Sequence, residues 1–239
     1  MIKTSRGFTL IEMAIVLIII TILIGGLAVP LSAQIQARRI AETNKTLEEA
    51  KEAIIGYAMT HKTLTTNRPY LPCPDTNGNG VEETRIANKC PQQYGWLPWL
   101  TLGTAEKDAW GNRLRYATHT DVSSDDQGFN STTLPVSSWN QICGSSTCTT
   151  GNIVGKDLPV VVLSHGANGW GALNINRYPT TNTQAAPTSA NELENLDADN
   201  LYVSKYPAKP GDPGGEFDDL ATWLSFYVII NRACPIGCP

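Results

Sequence analysis

The sequence has no cluster of Lys or Arg residues, and this absence argues against a nucleic-acid partner. Its 239 residues include 18 Lys and Arg and 22 Asp and Glu, which gives a formal net charge of −4. Neutralising a phosphate backbone requires a concentrated basic surface. We therefore predict no nucleic-acid binding. The composition is that of an ordinary globular protein, and the length suits one large domain or two small ones.

Residue constellations typical of enzymes are also missing. The three histidines, His61, His119 and His165, lack the spacing of metal ligands. Ser164 and His165 are neighbours, and adjacent side chains of a strand point to opposite faces, so they cannot form a nucleophile and base pair. The chain contains neither a Gly-x-Ser-x-Gly motif nor a phosphate-binding Gly-rich loop. The sequence thus predicts a protein that is not an enzyme.

Cysteine is present, but no pair has the Cys-x-x-Cys spacing. Six cysteines allow 15 connectivities, and an even set favours disulfides in an oxidising compartment over a metal site. Turn residues such as Asn77-Gly78 and Gly144 lie between neighbouring cysteines. We therefore predict the three local pairs: Cys73 with Cys90, Cys143 with Cys148, and Cys234 with Cys238.

A long apolar run occupies the N-terminal part of the chain. From Phe8 to Val29 only Thr9, Glu12 and Thr21 interrupt it, and about 20 such residues are enough for a helix to cross a bilayer. A secretory signal peptide is the alternative. The run is too long for one, and no convincing Ala-x-Ala site ends it. We predict a membrane helix.

Beyond Pro30 the pattern becomes amphipathic. Apolar residues recur at helical spacing, with charged residues on the other faces. The apolar positions are Ile35, Ala41, Leu47, Ala50, Ile54, Tyr57 and Ala58. The spacing predicts one helix from Phe8 to about His61 that loosens or bends at Gly25, Gly26 and Pro30.

The segment Arg6-Gly7-Phe8-Thr9-Leu10-Ile11-Glu12 resembles the cleavage and methylation signature of type IV pilins and type II secretion pseudopilins. The resemblance implies that a prepilin peptidase cuts after Gly7 and methylates the new amine of Phe8. Residues 1–7 would then be a leader peptide and residues 8–30 a transmembrane and assembly helix. Residues 31–239 would form the periplasmic or extracellular globular domain.

Glu12 is the unusual residue of the apolar run, because burying an unpaired charge in a membrane costs several kcal/mol. Cleavage would create a cationic amine at Phe8, and a carboxylate on a neighbouring helix could neutralise it where the dielectric constant is low. Such pairing between subunits would set the stagger of one helix against the next. The alternative is a carboxylate that lies at the lipid headgroup boundary of a simple anchor.

The rest of the chain suggests an α+β fold, in which the long helix packs on a small antiparallel sheet. Strands are predicted at Leu114 to Thr118, Leu158 to Leu163 and Trp223 to Asn231. Residues 62–107 read as irregular loop. Residues 179–200, rich in Thr, Asn, Ala and acidic side chains, read as a flexible or loosely packed excursion.

Two further stretches resemble the pseudopilins. Asp108-Ala109-Trp110-Gly111-Asn112 is similar to the family's Asp-Pro-Trp-Gly-Asn turn, with Ala109 in place of proline. The segment 164–169, followed much later by 214–223, resembles a loop that binds calcium in that subfamily. The resemblance implies that Asp218 and Asp219 are calcium ligands, with Asn168 and the backbone oxygens of Leu163 or Ser164 nearby.

The segment 75–83 suggests a second calcium loop. Its sequence is Asp-Thr-Asn-Gly-Asn-Gly-Val-Glu-Glu. Residues with oxygen ligands occupy alternate positions and glycine is sixth, as in the first half of an EF-hand loop. The candidate ligands are Asp75, Asn77, Asn79 and, in place of the missing glutamate at position twelve, Glu82 or Glu83. The alternative is a pair of Asn-Gly turns closing the loop between Cys73 and Cys90.

Together these features predict a structural subunit, minor more than bulk, of a type IV pilus or a type II secretion pseudopilus. Its partners would be other pilin or pseudopilin subunits, the prepilin peptidase and the inner-membrane assembly platform, and calcium would be its only cofactor. It would cross the inner membrane once before assembly, and then enter a periplasmic or extracellular filament. The alternatives are an adhesive or ligand-binding tip module tethered by the same helix and, more weakly supported, a periplasmic enzyme on a membrane anchor.

Overall fold

The structure is a computed structural model that describes residues 7–133, 135, 139–177, 183–197 and 199–238, with only the backbone described for residues 25–30. The chain divides into two compact units, Met1–Ala41 and Glu42–Pro239. Helix α1, Leu10–Thr60, contributes to both units. The continuous helix predicted from the apolar and amphipathic patterns is therefore present.

The first unit is helical from Leu10 onward, and its large apolar side chains are exposed to solvent wherever the structure describes them. Leu10 is 89% exposed, Phe8 is 83% exposed, and the large apolar residues from Ile11 to Ile24 are all exposed as well. The side chains of residues 25–30 are not described. Among the residues that are, no helix has a stretch both long enough and apolar enough to cross a membrane.

In the second unit α1 forms one side of the main core. Leu47, Ala50, Ile54 and Ala58 follow one another at spacings of three and four residues, and all four are buried. This spacing places them on a single face of the helix. The amphipathic pattern of the sequence thus identifies the buried face from Leu47 onward.

Two sheets follow α1. The first is antiparallel, with strand order β1-β2-β5-β7, and the second has the order β4-β3-β6, in which β3 and β6 are parallel. The strands are β1 Tyr94–Trp96, β2 Arg115–Thr118, β3 Asn140–Cys143, β4 Ile153–Leu158, β5 Val160–Ser164, β6 Leu201–Val203 and β7 Leu220–Leu224. The shorter helices are α2 Trp99–Leu102, α3 Thr120–Ser123, α4 Ala190–Glu194 and α5 Phe226–Ala233, with 3-10 turns at Thr150–Asn152 and Ile175–Arg177.

The first sheet is buried on both faces. Alternate side chains of a strand point to opposite faces. Tyr116, Val160 and Val162 accordingly join the core formed with α1 and α5, whereas Ala117 and Val161 join a second core with residues of the other sheet. The α+β class is confirmed, but the fold has two sheets where the sequence predicted one.

The predicted strand Trp223 to Asn231 is wrong beyond Leu224, because Phe226–Ala233 forms α5. Phe226, Ile229, Ile230 and Ala233 are buried at spacings of three and four residues. A short apolar run is compatible with either a strand or a buried helix, and packing against the core selects the helix here.

The predicted strand Leu158 to Leu163 is divided in the structure. Leu158 ends β4, and Val160 begins β5 after Pro159. Proline lacks the N–H that a continuous ladder requires, so the two runs belong to different sheets. The strand predicted at Leu114 to Thr118 corresponds to β2.

Two regions that the sequence marks as loose contain ordered elements. Residues 62–107 include β1 and α2. The excursion 179–200 includes α4, where Asn191 and Glu192 are buried, so its prediction as loosely packed is wrong for this helix. Residues 178–182 and 198 lie outside the described residues.

Three disulfides are present, Cys73–Cys90, Cys143–Cys148 and Cys234–Cys238. They are the local pairs expected from the sequence. Each closes a short loop, with separations of 17, 5 and 4 residues.

Candidate functional site

The N-terminal candidate residues lie at the start of α1. Gly7 and Phe8 precede the helix and are exposed. Thr9 immediately precedes its first residue, and Glu12 is in its first turn. The residues predicted to act in processing and in assembly therefore lie close together at the start of the helix.

Thr9 and Glu12 form a reciprocal capping box. Oε2 of Glu12 accepts hydrogen bonds from the backbone N–H of Thr9 at 2.8 Å and from its hydroxyl at 2.7 Å, and the Glu12 N–H donates to Thr9 Oγ1 at 3.3 Å. Such a box satisfies amide groups that a helix start otherwise leaves without a partner. The sequence reasoning missed this arrangement, although Thr-x-x-Glu is its recognised pattern.

A second group of candidate residues forms an acidic cluster in the second unit. Ligand oxygens of Glu192, Asp218 and Asp219 all lie within 4.8 Å of one another. Glu192 comes from α4, and the two aspartates come from the segment before β7. Glu192 and Asp219 are buried, whereas Asp218 is half-buried. The structure thus brings two of the predicted ligands together with a third that the sequence did not indicate.

Asn168, the remaining predicted side chain, joins this cluster. Its backbone N–H donates to Asp218 Oδ2 at 2.8 Å, and its side-chain amide donates to Glu192 Oε1 at 3.0 Å. The N–H of Asp218 donates to the same Glu192 oxygen at 3.1 Å. Asn168 therefore positions two carboxylates.

Asp219 is held from the other side of the cluster. The Asn195 amide donates to Asp219 Oδ2 at 2.8 Å, and Nδ1 of the buried His165 lies 3.6 Å from Asp219 Oδ1. Gly166, with φ of +57°, packs so closely on Asp218 that a Cβ atom there would collide with it. Only glycine suits this position, because the conformation is left-handed and the contact leaves no room for a side chain.

The electrostatics of the cluster favour binding of a positive charge. Burial, together with the neighbouring carboxylates Asp219 and Asp218, raises the pKa of Glu192 to about 7. Burial, with Asp219 as a further contributor, raises the pKa of Asp218 to about 6. Within the part of the chain that the structure describes, the buried oxygen Oδ1 of Asp218 has no hydrogen-bond partner. A proton or a metal ion would relieve this excess of negative charge.

The donor set fits calcium, which prefers carboxylate and carbonyl oxygens and tolerates irregular geometry. Glu192, Asp218 and Asp219 would supply carboxylate oxygens. The unpartnered Oδ1 of Asp218 is the specific observation of fit. No sequence pattern indicated Glu192, because the residue lies 24 positions from Asn168 and in a stretch that resembles no known ligand pattern.

The turn at 108–112 supports the loop that carries Asn168. Asp108 accepts from Ser164 Oγ at 2.7 Å, and the Asn112 amide donates to the Gly166 carbonyl at 3.1 Å. The N–H of Ala109 donates to Thr43 Oγ1 of α1 at 3.2 Å. Proline, which the pseudopilin turn carries at this position, has no N–H to make that bond.

The loop 75–83 satisfies its oxygens internally. Asp75 accepts from the backbone N–H groups of Asn77, Gly78 and Gly80 at 3.0, 2.7 and 2.7 Å. Asn77 Oδ1 accepts from the Asn79 N–H, and Asn79 Oδ1 accepts from the Val81 N–H. These are the turn contacts that the alternative interpretation predicts.

The two glutamates of this loop point to different partners. Glu82 accepts from the Tyr57 hydroxyl at 2.6 Å and from Arg85 at 3.1 Å. Glu83 accepts from the Thr76 hydroxyl at 2.6 Å and from the Asn77 amide at 2.9 Å. Among the described residues, the groups whose ligand atoms gather closely enough for a metal ion do not include this loop.

The N-terminal segment matches a known sequence signature. A family model described as the prokaryotic N-terminal methylation motif matches residues 2–28, so the chain carries the signature of type IV pilin and pseudopilin precursors. The match covers the residues that precede α1 and the first part of that helix. No curated protein and no solved structure shows significant similarity to the chain.

Proposed function

We propose that the protein is a minor structural subunit of a type IV pilus or a type II secretion pseudopilus. The observation that carries the proposal is the methylation motif at residues 2–28, continuous with a helix whose first part exposes its apolar side chains. Burial of apolar surface contributes about 25 cal/mol per Å². A lipid bilayer and a helical filament core both provide that burial, before and after assembly.

In this proposal the precursor crosses the inner membrane once, through residues 8–30. Prepilin peptidase cuts after Gly7 and methylates Phe8, and the assembly platform then transfers the subunit to the filament. The apolar length from Phe8 to Val29 supports the membrane step. The role is structural and not enzymatic.

Three disulfides and the extended segments between strands support a minor over a bulk subunit. The segments 62–107 and 179–200 add surface that a filament lattice of identical subunits would have to accommodate. A subunit present in few copies meets no such constraint.

Glu12 has two roles to distinguish. A helix cap contributes about 1 kcal/mol. A charged side chain costs about 3 kcal/mol at the centre of a membrane helix, and less near the end, where Glu12 lies. The cap leaves the charge itself unpaired, so it does not explain a carboxylate in an apolar layer. We propose that in the filament Glu12 pairs with the Phe8 amine of a neighbouring subunit, which also sets the axial register.

Substitutions at Glu12 and Thr9 separate these roles. Glu12→Gln keeps the capping pattern but removes the charge, and Thr9→Val removes the cap hydroxyl but keeps the charge. If the charge pair drives assembly, Glu12→Gln is cleaved normally but is absent from the filaments that shearing releases from the cells. Thr9→Val is cleaved and is present in those filaments. Assembly of Glu12→Gln at the wild-type level would refute the pairing.

We also propose that calcium occupies the acidic cluster of Glu192, Asp218 and Asp219. The supporting observation is the unpartnered, buried Oδ1 of Asp218 among three carboxylates. A cation there would join α4 to the segments on either side of it and would stiffen the edge of the domain. Calorimetric titration of the full chain in detergent tests this proposal, and the absence of both heat and thermal stabilisation would refute it.

A further inference from the structure

A polar pocket opens beside the edge of the first sheet, in the second unit, and none of its described lining residues belongs to the acidic cluster. Its volume of about 130 Å³ is enough for several water molecules. Tyr94 and Tyr202 line it, and the other lining residues are Gln93, His119, Asn140, Asp199 and Asn200.

The two tyrosines come from different sheets. Tyr94 lies in β1 opposite Ala117 of β2, and Ala117 lies opposite Val161 of β5. This row faces the second core, to which Tyr202 of β6 contributes. Tyr202 is buried whereas Tyr94 is partly exposed. The packing of the two sheets therefore creates the pocket and fixes its aromatic wall.

The polar residues of the pocket are mostly planar groups that can both donate and accept hydrogen bonds. Gln93, Asn140 and Asn200 contribute amides, and Asp199 contributes a carboxylate. The Asn140 and Asn200 amides are oriented by bonds to the carbonyls of Leu158 and Trp139, at 3.1 and 3.2 Å. Within the described residues the side chain of Gln93 makes no hydrogen bond. The rim of the pocket therefore has two oriented amides and, in Gln93, a third amide that can form hydrogen bonds with a ligand.

The charges around the pocket exclude an anionic ligand. Among its described lining residues, none is Lys or Arg. Asp199 belongs to a group with Glu194 and Asp197 whose carboxylate oxygens lie within 4.8 Å of one another. An apolar ligand is equally unfavourable, because it would strip water from amides without replacing their hydrogen bonds.

Beneath the pocket lies a cavity of about 10 Å³, which the same two tyrosines also line. That volume admits at most one water molecule. Arg115 and Asp197 both line this cavity, and the Arg115 guanidinium stacks over Trp96 at 4.4 Å. This cavity is therefore too small for a ligand in the outer pocket to reach the arginine through it.

We propose that the pocket between Tyr94 and Tyr202 binds a neutral sugar ring of a glycan. The C–H face of a pyranose would lie against an aromatic ring. Its hydroxyls would donate to and accept from the amides, and would donate to the carboxylate of Asp199. This inference is independent of filament assembly. It provides a ligand class for the alternative in which the subunit acts at a filament tip.

Saturation-transfer NMR on the full chain tests the proposal. The detergent must have a non-sugar headgroup, because a maltoside would compete for the pocket. The probes are the methyl glycosides of glucose, galactose, mannose and N-acetylglucosamine, with glucuronic acid and sialic acid as anionic comparisons. We expect saturation transfer to at least one neutral glycoside and none to the acids.

Two variants locate the binding. Tyr94→Ala and Gln93→Ala should each weaken binding roughly tenfold or more, since they remove an aromatic face or a pair of hydrogen bonds. Tyr206→Ala is the matched control, because Tyr206 is 93% exposed and lies outside the pocket. If Tyr94→Ala does not fold, Gln93→Ala decides alone, since its side chain is exposed.

Three outcomes would overturn the proposal: no transfer to any neutral glycoside, unchanged transfer in Gln93→Ala, or stronger transfer to the acids. Filament assembly is not measured in this experiment. Its failure would therefore leave the proposed structural role intact, and a failure of assembly tests would leave the glycan site intact.

Discussion

The side-chain amide of Asn168 donates to Oε1 of Glu192 across 3.0 Å, although 24 positions separate the two residues. The contact links the loop after β5 to α4. It places a carboxylate from the predicted loose excursion beside Asp218, and so completes an acidic cluster of which the sequence shows only part.

Neutralising Glu192 should weaken calcium binding. In wild type, calcium at about 100 times its dissociation constant should stabilise the folded state by about 2.7 kcal/mol. Glu192→Gln and Asp218→Asn should lose most of that stabilisation, measured as the thermal shift of the full chain with and without calcium. Glu49→Gln, which changes an exposed carboxylate of α1, is the control. Equal calcium stabilisation of all variants would place the ion elsewhere.

The calcium-free protein should become less stable as the pH rises from about 4 to about 7. The pKa values of Glu192 and Asp218 are raised, to about 7 and about 6, so the folded state binds more protons than the unfolded state in this window. Ionisation of each of the two carboxylates then costs the folded state on the order of 2 to 3 kcal/mol. Denaturant unfolding at several pH values with a chelator measures the effect. Stability that rises with pH, or a flat profile, contradicts it.

Calcium should abolish that pH effect and should bind more weakly at low pH. Protons and the ion compete for the same carboxylates, so binding releases protons. Titrations in two buffers of different ionisation enthalpy count the protons released. A calcium affinity that does not change between about pH 5 and about pH 8 would argue against these ligands.

Asp75→Ala should destabilise the domain without changing calcium binding. Asp75 is fully buried and accepts three backbone hydrogen bonds. Leaving such donors without a partner costs about 1 to 3 kcal/mol each. Asp75→Asn, which keeps one acceptor oxygen, should lose less. Chemical unfolding measures stability, and a loss of calcium heat in the folded Asp75→Asn variant would support the EF-hand-like interpretation instead.

Gly7 should be required for processing. A large or charged residue in Gly7→Glu would block the close approach of a protease to the backbone, so the intact mass should retain residues 1–7. Gly56→Ala is a suitable control, because a Cβ atom there would meet nothing within 4 Å. Cleavage of Gly7→Glu at the wild-type rate would show that the peptidase cuts at another position.

Removing the Cys73–Cys90 disulfide should cost more stability than removing Cys234–Cys238. Their separations are 17 and 4 residues. In the chain-entropy account a disulfide that closes a longer loop stabilises more, and the account gives about 3 kcal/mol for a loop about as long as that of Cys73–Cys90. Paired Cys→Ser variants, compared by denaturant unfolding, measure the difference. A larger loss from the C-terminal pair would show that packing, and not loop closure, dominates.

Short-range patterns predicted the parts of the fold that depend on neighbouring residues. The helix from Leu10 to Thr60, its buried face at Leu47, Ala50 and Ile54, and the local disulfides are all of this kind. The turn at 108–112 is also local, yet its hydrogen bond to Thr43 was not foreseeable. The apolar run 226–231 was wrongly predicted as a strand, since a buried helix and a buried strand require similar residues.

By itself the sequence determined the methylation motif and the position of the long helix, because both depend on residues that are close together along the chain. Only the tertiary structure decided which polar residues come together. In the structure the Asp75 oxygens accept hydrogen bonds from the backbone of their own loop, and Glu192 lies beside Asp218. Both outcomes follow from the need of each buried polar group for a partner, and the partner is chosen by distance in space.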